Sequence, residues 1–366
     1  MQEYEVSLKK AMIWTREPFD EKTREEVQLL IDQNKRGEII DRFFGEMEFG
    51  TAGLRGIIGA GTTRMNIYTV ARATQGLADC LNTLYKEAGE KGVVVGYDCR
   101  HFSREFAQKT AGVLARNNIK VYLYRQMTPT QLVPFAIRRL KGFAGIMITS
   151  SHNPAQYNGY KVYWSSGAQI TSPVDREILS FIQKVTDYNV AALPIAEGVQ
   201  KGLIYMLGQE VVQEYIQWAR ETAVRREISP ELRVVYTPLH GVGFSFAREV
   251  FERSGFKHFF VVEEQKEPDG DFPTVKAPNP EIGGAMEKAL FLAREKGADI
   301  VLATDGDADR VGVAIKRQGK DYLSLTGNQA GALCTYYLLS RLKEENRLTG
   351  KEVVISTVVS LSLIHI

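Results

Sequence analysis

Three carboxylates at alternate positions, Asp305, Asp307 and Asp309 in TDGDADR, and a serine on a proline-bounded bend, Ser151 in ITSSHNP, are the residues best suited to chemistry. In a tight loop, oxygens at i, i+2 and i+4 can converge on one hard cation such as Mg2+. The run is not an EF-hand, which needs Gly at its sixth position and Glu at its twelfth, where this chain has Arg310 and Lys316. A serine hydroxyl is a weak nucleophile at neutral pH, and a phosphorylated one carries about −1.5 to −2 charge, so either form needs a cation close by. Together the motifs point to phosphoryl transfer, with Asp305, Asp307 and Asp309 as the cage for a cation that Ser151 would need close by.

Each motif alone also has a plainer reading. An acidic loop can be a solvated turn, and Ser-His-Asn-Pro can be a structural bend, because Asn-Pro restricts the backbone. The neighbours favour chemistry: His152 adjoins Ser151, and Lys161 follows in NGYKVY on what reads as a returning strand. A lysine beside phosphate and metal can clamp charge or move a proton. Three carboxylates, one Mg2+ and one phosphoserine sum to about −2.5 to −3, so cations must gather there. Candidates are Arg310, Lys161, and Arg55 in FGTAGLRG, whose glycines let the backbone come close to a ligand. That segment has no Gly-Lys-Ser, and GIIGAGTTR lacks the strand and final glycine of a dinucleotide fingerprint, which argues against nucleotide binding. His240 in YTPLHGVG either lines a cleft or packs a turn and is given no role.

The elements that must position these residues alternate. VVVGYD, KVYLYR and FAGIMIT read as buried strands, separated by SREFAQKTAGVLARN, which Ser103 could cap, and by a helix from about Thr130. LRVVYTP, HFFVVEE and ADIVLAT continue the pattern with the helices FSFAREVFERSG and GGAMEKALFLAREKG. The expected fold class is α/β, with consecutive mixed, largely parallel sheets flanked by helices. Ser151 and Asp305 each stand just past a strand, where ligands sit in such sheets. The expected organisation is a helical cap over 1–40, a serine-loop domain over 41–200, a metal-loop domain over 201–324 and the start of a further domain over 325–366. LSLIHI, uncapped and apolar, reads as a poor natural terminus.

Composition works by exclusion. The chain has 366 residues, 44% hydrophobic and 25% charged, and 46 basic residues against 44 acidic ones leave a net charge of +2. There is no basic, aromatic-interleaved groove for nucleic acid, and no apolar run of signal-peptide or membrane-spanning length. A small soluble substrate, a cytoplasmic location and no obligate protein partner are the expectations. Cys80, Cys99 and Cys334 lack CxxC spacing, which argues against structural zinc and a disulfide framework.

FGTAGLRG, GYDCRHFS, ITSSHNPAQYNGYKVY, YTPLHGVG, PTVKAPNPE and TDGDADR occur in the order found in the α-D-phosphohexomutases, and the chain resembles that family over roughly residues 40 to 360. The resemblance implies that Ser151 is the phosphoserine and that Asp305, Asp307 and Asp309 bind Mg2+ with its phosphate. It implies active-site roles for Lys161, Arg55, Arg310 and, as a proton handler, His152. The implied activity is phosphoglucomutase-type interconversion of glucose 1-phosphate and glucose 6-phosphate, with glucose 1,6-bisphosphate as activator and intermediate. Mannose or pentose phosphates are alternative substrates. An aspartyl-phosphate phosphatase using Asp305 and an inactive sugar-phosphate-binding fragment are alternative functions. Ser150 stands where the family usually has alanine. Family members have four domains, so the resemblance also implies a chain truncated early in its third.

Overall fold

The computed structural model describes residues 2–50, 53–225 and 229–355. The chain divides into two compact units, Met1–Val211 and Val212–Ile366.

In the first unit, helices Gln2–Ile13, Glu21–Asp32 and Arg36–Phe43 form the amphipathic cap. Asp20 caps the second helix by accepting from the Thr23 amide at 3.1 Å. Ala11, Trp14, Phe19, Val27, Leu30, Ile39 and Phe43 bury a small core that also takes in Ala60. A six-stranded sheet follows, formed by β1 (Leu54–Ile57), β2 (Val93–Tyr97), β3 (Val121–Tyr124), β4 (Ala144–Ile148), β5 (Tyr157–Trp164) and β6 (Ile204–Leu207), in the order β1-β5-β4-β2-β3-β6. The pairs β2–β3, β2–β4 and β3–β6 are parallel, while β5 runs antiparallel to both β4 and β1. β2 and β4 are buried along their whole length, as continuous apolar runs under helices on both faces require. Because Tyr97 pairs with Ile148 in parallel register, the segments leaving β2 and β4 emerge side by side.

The second unit carries a five-stranded sheet of β7 (Arg233–Thr237), β8 (His258–Val261), β9 (Ile300–Thr304), β10 (Val311–Ile315) and β11 (Leu323–Leu325), in the order β11-β10-β9-β7-β8. Two pairings are parallel and two antiparallel, so this sheet is evenly mixed rather than largely parallel. Thr237 pairs with Ala303, which brings the loop after β7 beside the loop after β9.

Two expectations are corrected. Ser103 does not cap its helix: Phe102, at φ 63°, is the cap residue, and the Ser103 hydroxyl donates inward to Asp98 at 2.7 Å. EVVISTVVS, whose β-branched run reads as a strand, forms none over 352–355, and its remainder, with LSLIHI, lies outside the described residues. Among the described residues, no helix is long and apolar enough to cross a membrane.

Candidate active site

Ser151 sits in the turn between β4 and β5, 3% exposed, at φ 51°. A left-handed conformation costs a non-glycine residue about 1–2 kcal/mol, so the surroundings must hold it there. Its amide donates to the Thr149 hydroxyl at 2.8 Å. Its carbonyl accepts from Arg100 Nη2 at 2.7 Å. His152 Nδ1 lies 3.3 Å from Ser151 Oγ, near enough to take a proton from the serine when the imidazole is neutral. Pro154 closes the turn by accepting from the Tyr157 amide at 3.1 Å.

Lys161 pairs with Met147 across the β4–β5 hairpin and is buried to 6% exposure. Arg55, exposed on β1, donates to Asn153 Oδ1 at 3.3 Å and so reaches the serine loop. β1 can lie this close because Gly53, at φ 75°, presents no side chain: a Cβ there would stand 1.9 Å from the Tyr160 carbonyl oxygen. Thr51 and Ala52 of the same glycine-rich motif lie outside the described residues. The first unit therefore gathers Ser151, His152 and Arg55 around one turn, with Lys161 on the strand that leaves it.

The second unit gathers the aspartates. Asp305 and Asp307 are fully buried and Asp309 is exposed, and one oxygen from each lies within 4.8 Å of the others. An all-carboxylate oxygen set of this compactness fits a hard divalent cation, whose charge would also offset the burial of two carboxylates. Asp305 Oδ1 accepts the Arg310 amide at 3.0 Å, and its carbonyl accepts the Ala308 amide at 3.0 Å, so the loop folds back on its first ligand. Arg310 itself is exposed beside the triplet.

Sequence reasoning overlooked the groups that hold these loops. Arg100 was read only as part of GYDCRHFS, yet its guanidinium, with no exposed surface, bonds the carbonyls of Ser151, Asn153, Pro154 and Tyr157 at 2.5–3.0 Å. Asp98 partners it at 3.5 Å. The available signal was an Asp-x-Arg pair straight after a buried strand. In the second unit His240 is 3% exposed and its Nε2 lies 2.9 Å from Thr274 Oγ1. Thr274 also takes a bond from Gln265, which accepts from Thr237. Val242 donates to the Gly306 carbonyl at 3.1 Å, tying this loop to the aspartate loop.

Residues 46–189 match the family model described as phosphoglucomutase/phosphomannomutase, alpha/beta/alpha domain I, and residues 213–319 match the corresponding domain II. Human phosphopentomutase is 39% identical over 343 residues, 91% of this chain and 56% of that protein. Human glucose 1,6-bisphosphate synthase is 38% identical over 345 residues, 90% of this chain and 55% of that protein. The chain thus spans about half the length of the curated relatives it matches. A solved structure of a phosphoglucomutase/phosphomannomutase family protein from Burkholderia thailandensis shares the fold, with a TM-score of 0.63 and 22% identity over 80% of this chain and 59% of that one.

Proposed function

Because the chain belongs to the phosphoglucomutase/phosphomannomutase family, we propose that it carries the phosphoryl-transfer centre of a phospho-sugar mutase. The observation that carries this reading is Ser151, held on a fixed left-handed turn with His152 Nδ1 3.3 Å from its oxygen.

In the proposed cycle, phosphoserine 151 gives its phosphoryl group to the free hydroxyl of a sugar monophosphate. The Ser151 Oγ–P bond breaks and a sugar O–P bond forms. The hydroxyl proton passes to Lys161 or His152, and the serine oxygen leaves as an alkoxide that recovers a proton. The sugar bisphosphate then presents its other phosphate to the Ser151 hydroxyl, whose proton His152 Nδ1 is placed to accept. Arg55 in the first unit and Arg310 in the second supply positive charge that offsets the serine phosphate and the carboxylates. Asp305, Asp307 and Asp309 would hold Mg2+, which supplies Lewis-acid neutralisation of a transferring phosphoryl group. The reading requires the serine phosphate and the aspartate triplet to serve the same reaction.

For the substrate, the relative named phosphopentomutase favours a pentose phosphate. The one named glucose 1,6-bisphosphate synthase keeps glucose phosphates in play and supports glucose 1,6-bisphosphate as phosphoryl donor. The proposal is therefore a sugar-phosphate mutase with pentose phosphates first and the glucose 1-phosphate/6-phosphate pair second.

The test is a coupled mutase assay with Mg2+, catalytic glucose 1,6-bisphosphate and a panel of ribose, deoxyribose, glucose and mannose 1-phosphates, run on wild type and Ser151→Ala. Turnover lost with the hydroxyl, together with acid-stable phosphate on Ser151, supports the reading. Undiminished turnover in Ser151→Ala, or a hydroxylamine-labile acyl phosphate on Asp305, overturns it. Sugar phosphate bound without any transfer would leave a binding protein.

A further inference from the structure

Ser151 holds a backbone conformation that its own residue type disfavours, and both ends of the residue are tied to one buried ion pair. At the amide end, Ser151 N–H donates to the Thr149 hydroxyl at 2.8 Å, and that hydroxyl hydrogen-bonds the Asp98 carboxylate. At the carbonyl end, Arg100 Nη2 donates to Ser151 O at 2.7 Å and to Asn153 O at 2.5 Å, while Nη1 reaches Pro154 O at 2.9 Å and Tyr157 O at 3.0 Å. Four carbonyls in one turn are thus held by one rigid planar fork, a geometry that an ammonium cannot reproduce.

The pair is built into the sheet rather than resting on it. Neither Asp98 nor Arg100 exposes any side-chain surface. Asp98 Oδ1 accepts the Arg100 amide at 2.9 Å and the Ser103 hydroxyl at 2.7 Å, and the Asp98 amide donates to Ile148 O at 3.1 Å. Asn158 donates to Ser103 Oγ at 3.0 Å, linking the start of β5 to the same cluster. Burying two charges is costly unless each is paired and hydrogen-bonded, and a surface turn between two strands needs no such arrangement to close. Its effect is to fix one main-chain unit, the one that bears the serine hydroxyl.

We propose that Asp98 and Arg100, acting with Thr149, are the positioning residues that fix the Ser151 hydroxyl for in-line phosphoryl transfer. The role in transfer rests on the mutase reading, whereas the anchoring itself does not. The guanidinium bonds carbonyls of the loop, and the Asp98 carboxylate bonds the Arg100 amide and the Ser103 hydroxyl. They set the position of Oγ through its backbone, where a misplacement of about 1 Å costs on the order of 100-fold in rate.

The experiment compares wild type with Arg100→Lys, which keeps the charge opposite Asp98 but loses the fork, and with Thr149→Val, which removes only the hydroxyl. Amide hydrogen exchange and the rate of phosphate incorporation into Ser151 from glucose 1,6-bisphosphate with Mg2+ are read on each. Exchange over residues 149–157 is expected to rise at least about 10-fold, with β2 and helix Ser103–Arg116 unchanged. Incorporation is expected to fall about 100-fold while the bisphosphate concentration giving half-maximal rate stays near wild type. Wild-type exchange and wild-type incorporation in both variants would overturn the proposal. So would a loss that appears only as lowered melting temperature, with normal incorporation by the folded fraction. If Arg100→Lys fails to fold, Thr149→Val decides. A wild type that takes up no phosphate under any condition sinks the mutase reading and the role in transfer, and the exchange comparison still decides the anchoring.

Discussion

Nδ1 of His152 lies 3.3 Å from Oγ of Ser151, and the two residues are adjacent in sequence on a turn whose main chain is fixed from both sides. That contact places a titratable ring within hydrogen-bond distance of the serine oxygen. General acid–base groups in this position contribute about 100- to 10,000-fold. His152→Gln, which keeps hydrogen-bonding ability without a titratable ring, should lower kcat at least about 100-fold and change KM little. Steady-state kinetics with saturating glucose 1,6-bisphosphate would check this, and turnover close to wild type would strip His152 of its assigned role.

Gly241 marks how tightly the aspartate loop is supported. A Cβ at that position would stand 2.6 Å from the Gly306 carbonyl oxygen and 2.7 Å from that of Asp305. Backbone cannot yield there without moving the first carboxylate of the triplet. Disturbing the groups that orient metal ligands typically weakens metal binding 10- to 100-fold. Gly241→Ala should therefore raise the Kd for Mg2+ by about that factor in calorimetric titration, without abolishing folding.

Ser150 shows the opposite situation, a polar atom that the fold does not use. The residue is fully buried and its hydroxyl has no hydrogen-bond partner among the described residues. An unsatisfied buried hydroxyl costs about 1–3 kcal/mol, and removing it leaves only a small void. Ser150→Ala should stabilise the first unit by about 1 kcal/mol and raise its thermal midpoint by about 2–4 °C. A calorimetric scan showing a lower midpoint would mean that the hydroxyl is engaged in solution.

Much of this arrangement was legible in the chain itself, for physical reasons that also mark where legibility ends. β2, β4, β7 and β9 read correctly because each is a short, mostly apolar run of strand length, wholly buried in β2 and β4 and alternating between buried and half-buried in β9. The convergence of the aspartate triplet was legible because oxygens at i, i+2 and i+4 of a tight loop can meet, and one from each lies within 4.8 Å of the others. β1 did not read as a strand: it is four residues long, contains Gly56 and is buried only at Leu54. The Asp-x-Arg pair after β2 hinted at a buried ion pair, but what Arg100 anchors was not legible, because its partners, from Ser151 to Tyr157, are carbonyl groups and every residue type carries one. Ser103 looked like a helix cap because the sequence does not say that Asp98, buried and charged, competes for its hydroxyl.

His240 gives the pH dependence its sign. Burial holds its imidazole below the usual histidine pKa of 6.5, and the nearby Asp269 and a hydrogen bond donated to the Glu267 backbone carbonyl only partly oppose this. As pH falls below 6.5, the unfolded chain takes up a proton at this position before the folded one does. Stability then declines with falling pH, and the decline ends once pH passes below the depressed folded-state value. Carboxylates add their own acid slope, so the measurement is a difference: thermal midpoints of wild type and His240→Gln from pH 7.5 down to pH 5. Glutamine retains a donor and acceptor for Thr274 but has no proton to gain, so the gap between the two curves should shift in the variant's favour below about pH 6.5. Parallel curves across that window would mean that His240 titrates alike in the folded and unfolded chain, and that its burial beside Thr274 does not disfavour the imidazolium.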